Sequence, residues 1–198
     1  MEAAKAVFFE KGYFGSTIDE IAKRAGISKG TVYLYFKNKD ELYVSLMLPM
    51  VDEFTELLLE FERNVSKRIY KTGSEIIMKF YEVFTRIYQW DPDALRVFQV
   101  YHLLDLSEVM GAGVRKKHLL AAKKNGSIAV KIYSEAIEQG LLRKTNPIQA
   151  VNALWALFLG VVQVQGSYLR ETQKDFVLRT LKFAFSSFAK VLTRSGEV

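Results

Sequence analysis

The feature that most constrains this chain is the stretch 17–36, where two short runs with helical apolar spacing are separated by a glycine. Ser16 or Thr17 supplies an N-cap for the first run, and Gly26 stands where that helix should end. Ser28 supplies the N-cap of the second run. Two short helices joined by a tight, glycine-containing turn form a helix-turn-helix, so the sequence predicts that motif here.

Such a motif offers the N-terminal part of its second helix to the major groove of DNA. The inward side is predicted to hold Ile21, Ile27, Val32 and Phe36, which leaves Lys29, Gly30, Thr31, Tyr33 and Leu34 facing outward. Phosphate contacts are expected from Thr17, Lys29, Lys39 and the Tyr35 hydroxyl, and base contacts from Thr31, Tyr33 and Leu34. The alternative is a helical hairpin whose aromatic side chains simply pack together.

The sequence GYFGSTIDEIAKRAGISKGTVYLYFKNKDELY, residues 12–43, resembles the DNA-binding domain of the TetR (tetracycline-repressor) family of bacterial transcriptional regulators. The resemblance implies an all-helical homodimer, usually a repressor, that binds a palindromic operator in double-stranded DNA and responds to a small-molecule effector through its C-terminal domain. Carried over position by position, it assigns phosphate contacts to Thr17, Tyr35 and Lys39, and groove contacts to Lys29, Gly30, Thr31, Tyr33 and Leu34. After about residue 50 the resemblance is weak, so it does not identify the effector.

Members of this family normally begin with a basic arm and a further helical turn ahead of a segment such as EAAKAVFFEKGY, which here directly follows Met1. Either the start is truncated or the phosphate contacts of the arm are absent. Each absent contact should lower the affinity for DNA and flatten its salt dependence. A second interpretation therefore stays open, namely a ligand-binding or scaffold protein of the same fold whose DNA binding is lost or weakened.

Helical periodicity continues through the 198 residues and predicts an all-α fold of about nine helices. A helix-turn-helix DNA-binding domain is expected at residues 1–45, and a ligand-binding and dimerisation domain at residues 46–198. The fourth helix is predicted to start at Asn38 and to connect the two domains. Pro49 lies within it and should bend or loosen it around residues 45–49, either as a hinge or as a proline that merely shapes the helix.

The C-terminal helices carry more apolar surface than one buried face requires, which predicts a dimer interface formed by the last two helices. The residues assigned to that interface are Trp155, Phe158, Val162, Phe185 and Phe188. A largely apolar ligand pocket is assigned, from helix faces and from where family members bind ligands, to Phe54, Tyr81, Phe84, Tyr88, Tyr101, His102 and Trp155.

Enzyme chemistry finds little support in the sequence. The chain has no cysteine, which excludes disulfides and thiolate chemistry and suits a reducing cytoplasm. Its two histidines, His102 and His118, lack spaced metal-ligand partners, so no catalytic residue, metal or cofactor is predicted. The basic run at 115–117 with Lys123 and Lys124 is interpreted as a solvated helix face or, alternatively, as an anion site, for example for the phosphates of an acyl-coenzyme ligand.

No membrane partner and no secretory signal are expected. The most apolar run, residues 151–162, is shorter than the ~20 residues that cross a hydrocarbon core. The net charge of +6 adds little to the DNA assignment, because the first 48 residues hold seven basic and six acidic side chains. The sequence as a whole predicts a cytoplasmic, ligand-responsive DNA-binding regulator, in most such proteins a repressor.

Overall fold

The computed structural model describes residues 1–103, 112–168 and 174–193. Within these ranges the chain forms helices and no β-strand, which confirms the all-α prediction. The helices are α1 (Glu2–Gly15), α2 (Ile18–Ala25), α3 (Lys29–Tyr35), α4 (Lys39–Ser45), α5 (Leu48–Ser66), α6 (Gly73–Trp90), α7 (Pro92–Leu103), α8 (Ala112–Glu138), α9 (Pro147–Tyr168) and α10 (Lys174–Leu192). The apolar spacing also predicts that the helix starting at Pro92 ends near residue 104 and that the last helix starts near residue 172, and both of these bounds lie outside the described residues.

Local capping signals set the ends of the N-terminal helices. The Thr17 side chain accepts a hydrogen bond from the Glu20 N–H at 3.2 Å, and the Glu20 carboxylate accepts one from the Thr17 N–H at 3.1 Å. Asn38 caps α4 by accepting from the Glu41 N–H at 2.7 Å. Gly12 has a φ of 72° and breaks the helical geometry inside α1, and a glycine after an apolar helical run is a typical helix stop. Thr17 and Asn38 therefore start α2 and α4 at the positions that the sequence predicted.

The predicted fourth helix is divided into α4 and α5 by a turn at Leu46 and Met47. The N–H groups of these two residues donate to carbonyls three residues earlier, so the last turn of α4 tightens before α5 begins. Pro49 is the second residue of α5, in the first turn, where its missing N–H removes no helical hydrogen bond. This turn lies within residues 45–49, where Pro49 was expected to bend or loosen the helix. Because it divides one predicted helix into two, the described residues form ten helices where about nine were expected.

Contacts between Cα atoms divide the chain into two compact units. The first consists of Met1–Asp52 with Asp91–Ala121, and the second of Glu53–Trp90 with Ala122–Val198. This division differs from the proposed domains 1–45 and 46–198, because α7 and the start of α8 group with the N-terminal helices. Segments distant in sequence therefore belong to the unit that carries the helix-turn-helix.

The first unit has its own apolar core under α1, α2, α3, α4 and α7. Its most buried members include Phe8, Ile21, Val44, Met47 and Val97. Lys5 on α1 also forms an ion pair with Asp91, the residue before α7, at 2.8 Å, which links α1 to the start of α7. The core holds the helix-turn-helix as part of a larger helical unit.

The second unit is built on aromatic side chains of α5, α6, α9 and α10. Phe61, Phe80, Phe158 and Phe185 are completely buried. Helix α6 starts against the turn after α8, where a Cβ on Gly73 would lie 2.2 Å from the carbonyl oxygen of Leu141. Only glycine fits at this contact.

Helix α9 is longer than the apolar run seen in the sequence. Its window Pro147–Val164 is long and apolar enough to cross a membrane by length and composition, the one such window among the described residues. Only 28% of that window is buried within the chain. Core helices of soluble proteins pass the same test, so the finding is weak evidence for a membrane span.

Candidate nucleic-acid interface and ligand region

The turn between α2 and α3 has the geometry that a helix-turn-helix requires. Gly26 ends α2 in the left-handed region at φ 67°, and the N–H of Ile27 donates to the Ala22 carbonyl at 3.1 Å. Ser28 then starts α3 by accepting from the Thr31 N–H at 3.0 Å. Since both ends of the turn are capped, the first residue of α3 is fixed relative to α2.

Helix α3 presents nearly all its side chains to solvent. Val32 alone of its seven residues is buried, while Tyr33, Leu34 and Tyr35 are 47%, 82% and 75% exposed. Lys29 and Gly30 are also exposed, and Thr31 is half-buried. Exposed rings and a leucine are costly on a surface with no partner, and they suit the base edges and methyl groups of a DNA groove.

Two of the predicted phosphate-contact residues already have partners. The Lys29 ammonium donates to the Asp19 carboxylate at 2.7 Å, and this bond raises the pKa of the lysine above its ordinary value. Thr17 is engaged in capping α2. A DNA phosphate would compete with Asp19 for Lys29, and at Thr17 it would meet the N-terminus of a helix, where backbone N–H groups favour anions.

Lys39, also predicted to contact a phosphate, is held against the end of α1. Its ammonium donates to the carbonyl oxygens of Tyr13 at 2.9 Å and Ser16 at 3.2 Å. It also lies 4.6 Å from the centroid of the Tyr13 ring. The side chain is therefore fixed beside the start of α2.

Sequence reasoning missed three features of this surface. Phe14 is 78% exposed just before α2, and the helical spacing of apolar residues did not predict this exposure. Ile27, predicted to face inward, is 45% exposed, because the turn between α2 and α3 carries it away from the core. Tyr13 was not predicted to have a role. Its contact is with Lys39, which lies 26 positions later in the sequence, so no local pattern could indicate it.

Three of the predicted ligand residues come together in the second unit. The ring centroids of Phe54, Phe84 and Trp155 are 5.2–5.9 Å apart, so these rings contact one another. Phe84 also packs against Phe158 and Phe185. We call these five residues the aromatic cluster. Phe54 and Trp155 are half-buried, and they lie at its accessible side.

The other predicted ligand residues are distributed differently. Tyr81 contacts Phe185 at 5.9 Å and Tyr88 is half-buried, both in the second unit. Tyr101 belongs to the first unit, where its ring lies 4.7 Å from that of the buried His118. His102 is in α7, and its side chain lies outside the described residues.

The predicted dimer residues require a correction. Phe158, Val162 and Phe185 are buried within the single chain, so they form its core and have little surface left for a second copy. The sequence pattern identified apolar residues on α9 and α10 but did not separate inward from outward faces. Trp155 and Phe188 are half-buried, and their assignment stays a prediction.

The basic run on α8 is exposed at residues 115–117, 123 and 124, as a solvated face would be. Lys117 is 4.0 Å from Asp52. Among the described residues, no group of three histidine, aspartate or glutamate side chains is arranged to hold a metal ion.

Residues 1–46 match the profile of the family described as bacterial regulatory proteins, tetR family. The fatty acid metabolism regulator protein of Bacillus subtilis (strain 168) is 43% identical over 60 residues, which are 30% of this chain and 31% of that protein. The matched segment thus spans about a third of that relative.

Two solved structures share the fold over nearly the whole chain. The TetR family regulator PfmR from Thermus thermophilus has a TM-score of 0.72 and 17% identity, covering 100% of this chain and 98% of its own. FadR from Bacillus subtilis, in complex with stearoyl-CoA, has a TM-score of 0.66 and 22% identity, covering 95% and 94%. At these identities the likeness establishes the fold alone. The N-terminal helix-turn-helix of this chain thus matches the tetR family of bacterial regulatory proteins over residues 1–46, and the whole chain shares the all-helical fold of these solved regulators.

Proposed function

We propose that this protein is a cytoplasmic transcriptional regulator that binds a palindromic DNA operator as a homodimer and leaves it when a small, largely apolar ligand binds. The observation that carries the proposal is α3, which buries only Val32 and exposes three large side chains beside Lys29. In a helix-turn-helix, those exposed residues are the ones that reach base edges. Repression follows from the resemblance to the tetracycline repressor family.

A dimer is supported by faces on α9 and α10 that the single chain leaves uncovered. On α9, exposed residues recur every four positions at Asn152, Ala156, Gly160 and Val164. A Cβ on Gly160 would meet nothing within 4 Å, so there is room for another helix to approach closely. On α10, Phe183 is 74% exposed. A second copy that covers these faces would bury the apolar surface of α9 and would position two copies of α3 on one palindrome.

The aromatic cluster supports an apolar ligand. Its rings offer no charge and few hydrogen-bond donors, and Phe54 and Trp155 are only half-buried. An acyl chain or another hydrocarbon group inserted beside them would gain from the area it removes from water. The stearoyl-CoA bound to FadR makes a long-chain acyl compound the first class to test.

The experiment for DNA binding is selection of random duplexes by the purified protein, followed by gel shifts of the recovered sequence. We expect a palindrome bound far more tightly than scrambled DNA, with affinity that falls as salt rises. Recovery of no preferred sequence would favour the second interpretation, a protein of this fold that has lost DNA binding.

The ligand experiment uses the two tryptophans of the chain. Trp90 is exposed and Trp155 lies in the aromatic cluster, so a Trp90→Phe protein reports on Trp155 alone. Stearic acid and stearoyl-CoA are the probes. Saturable change in emission together with release of the selected duplex supports the proposed site, whereas release without any emission change places the ligand elsewhere.

A further inference from the structure

Lys39 is more restrained than a surface lysine usually is. A lysine ammonium has three N–H donors, and here two of them are directed to the carbonyl oxygens of Tyr13 and Ser16. The remaining donor is available to a phosphate. Because the side chain is already fixed, less conformational freedom is lost when the phosphate binds.

Tyr13 contributes most of what fixes this lysine. Its carbonyl oxygen accepts from the Lys39 ammonium, and its ring lies beneath the charge at 4.6 Å, within cation–π range. The buried Ser16 hydroxyl donates to the same carbonyl at 2.8 Å and so holds the peptide in place.

The Tyr13 ring is in turn held from α1 and α4. Its centroid is 4.9 Å from that of the buried Tyr43 and 6.4 Å from that of Phe8. Its hydroxyl donates to the Asp40 carboxylate, whose pKa is raised by burial. The ring therefore joins the segment just before the helix-turn-helix to the helix just after it.

We propose that Tyr13 is a positioning residue for DNA binding, which holds the Lys39 ammonium at the start of α2 so that it can contact a phosphate. The inference rests on the proposed function, since it needs a DNA-binding protein. It assigns to Tyr13 an effect on DNA affinity that acts through Lys39.

The test is a double-mutant cycle on the selected duplex, with affinity measured over a range of salt concentrations. Lys39→Ala should lower the salt slope by about 0.9 for each phosphate that is no longer neutralised, or about 1.8 for a dimer. Tyr13→Leu should lower it by a similar amount, and the double variant should bind no more weakly than Lys39→Ala alone. Both Tyr13 variants keep the backbone carbonyl, but Tyr13→Phe also keeps the ring face beneath the ammonium, so it should retain the wild-type slope.

Val97→Ala on α7 is the control, because it removes buried apolar volume from the same core at a residue outside the contacts that hold Tyr13 and Lys39. It should lower thermal stability and leave the salt slope unchanged. If Tyr13→Leu does not fold, a series of increasingly fluorinated phenylalanines at position 13 keeps the shape of the ring while removing its negative face. The slope should then fall stepwise with fluorination.

An unchanged slope in both Tyr13→Leu and the fluorinated series, with a lowered slope in Lys39→Ala, would overturn the role of Tyr13 and leave the proposed function intact. An unchanged slope in Lys39→Ala would also overturn it. Failure of the wild-type protein to bind any duplex would overturn the proposed function and this inference together.

Discussion

The helix-turn-helix and the pair α9 and α10 differ in how their structure is encoded. In the first region, Thr17, Ser28 and Asn38 each cap the helix that follows, and Gly26 ends α2 in a conformation that suits glycine. Neighbouring residues therefore decide where each helix starts and ends. In the second region, long apolar helices carry rings on several sides, and the core is chosen by contacts between distant residues.

This difference explains why inward and outward positions were predicted more accurately on α3 than on α9 and α10. On α3, one inward position, Val32, leaves the outward set determined by helical spacing. On α9 and α10, both faces are apolar, so the same spacing is compatible with opposite orientations. Four sets of substitutions challenge this contrast, starting with the largest expected effect.

Aspartate substitutions on α9 and α10 should separate core from interface. Phe158→Asp places an unpaired charge at a completely buried position and should unfold the protein, at a cost of several kcal/mol. Phe183→Asp, at an exposed position, should leave the helical circular dichroism unchanged and convert the proposed dimer to a monomer in sedimentation. A folded Phe158→Asp monomer would reverse the assignment of the two faces.

Two glycines offer a matched pair within the second unit. Gly73→Ala should destabilise it by about 3 kcal/mol, because the new Cβ would lie 2.2 Å from the Leu141 carbonyl oxygen, a backbone atom. Gly126→Ala in α8 meets nothing within 4 Å and should stabilise the helix by about 0.5–1 kcal/mol. Denaturant unfolding measures both. Equal effects would mean that the contact between α6 and the turn after α8 relaxes easily.

Base readout should depend on the exposed side of α3. Tyr33→Ala is expected to weaken binding to the selected duplex by ~1–3 kcal/mol and to leave binding to unrelated DNA and the thermal midpoint unchanged. Phe14→Ala is the comparison, since Phe14 is also accessible but lies outside α3. If Phe14→Ala lost specificity and Tyr33→Ala did not, the base contacts would lie outside α3.

The smallest effect is expected at a cap. Ser28→Ala removes the hydrogen bond to the Thr31 N–H and should lower stability by about 1 kcal/mol, as N-cap deletions typically do. Hydrogen exchange should show increased opening confined to α3. Opening spread over the whole first unit would indicate that α3 depends on its core contacts more than on its cap.

Much of the first region could be predicted because its signals are local. The capping residues, the glycine turn and the outward positions of α3 all follow from spacing along the chain. The positions of Ile27 and Lys39 could not be derived in this way. Ile27 is exposed because of the direction of the turn, and Lys39 is fixed by carbonyls more than 20 residues earlier.

The sequence by itself determined the helical class and the helix-turn-helix, since caps, glycines and apolar periods act over a few residues. Only the tertiary structure decided which rings of α9 and α10 form the core, that α7 packs with the N-terminal helices, and that Tyr13 lies under Lys39. The physical reason is that burial is a property of the whole chain. An apolar side chain is attracted to any apolar surface, and the folded arrangement alone selects which surface it meets.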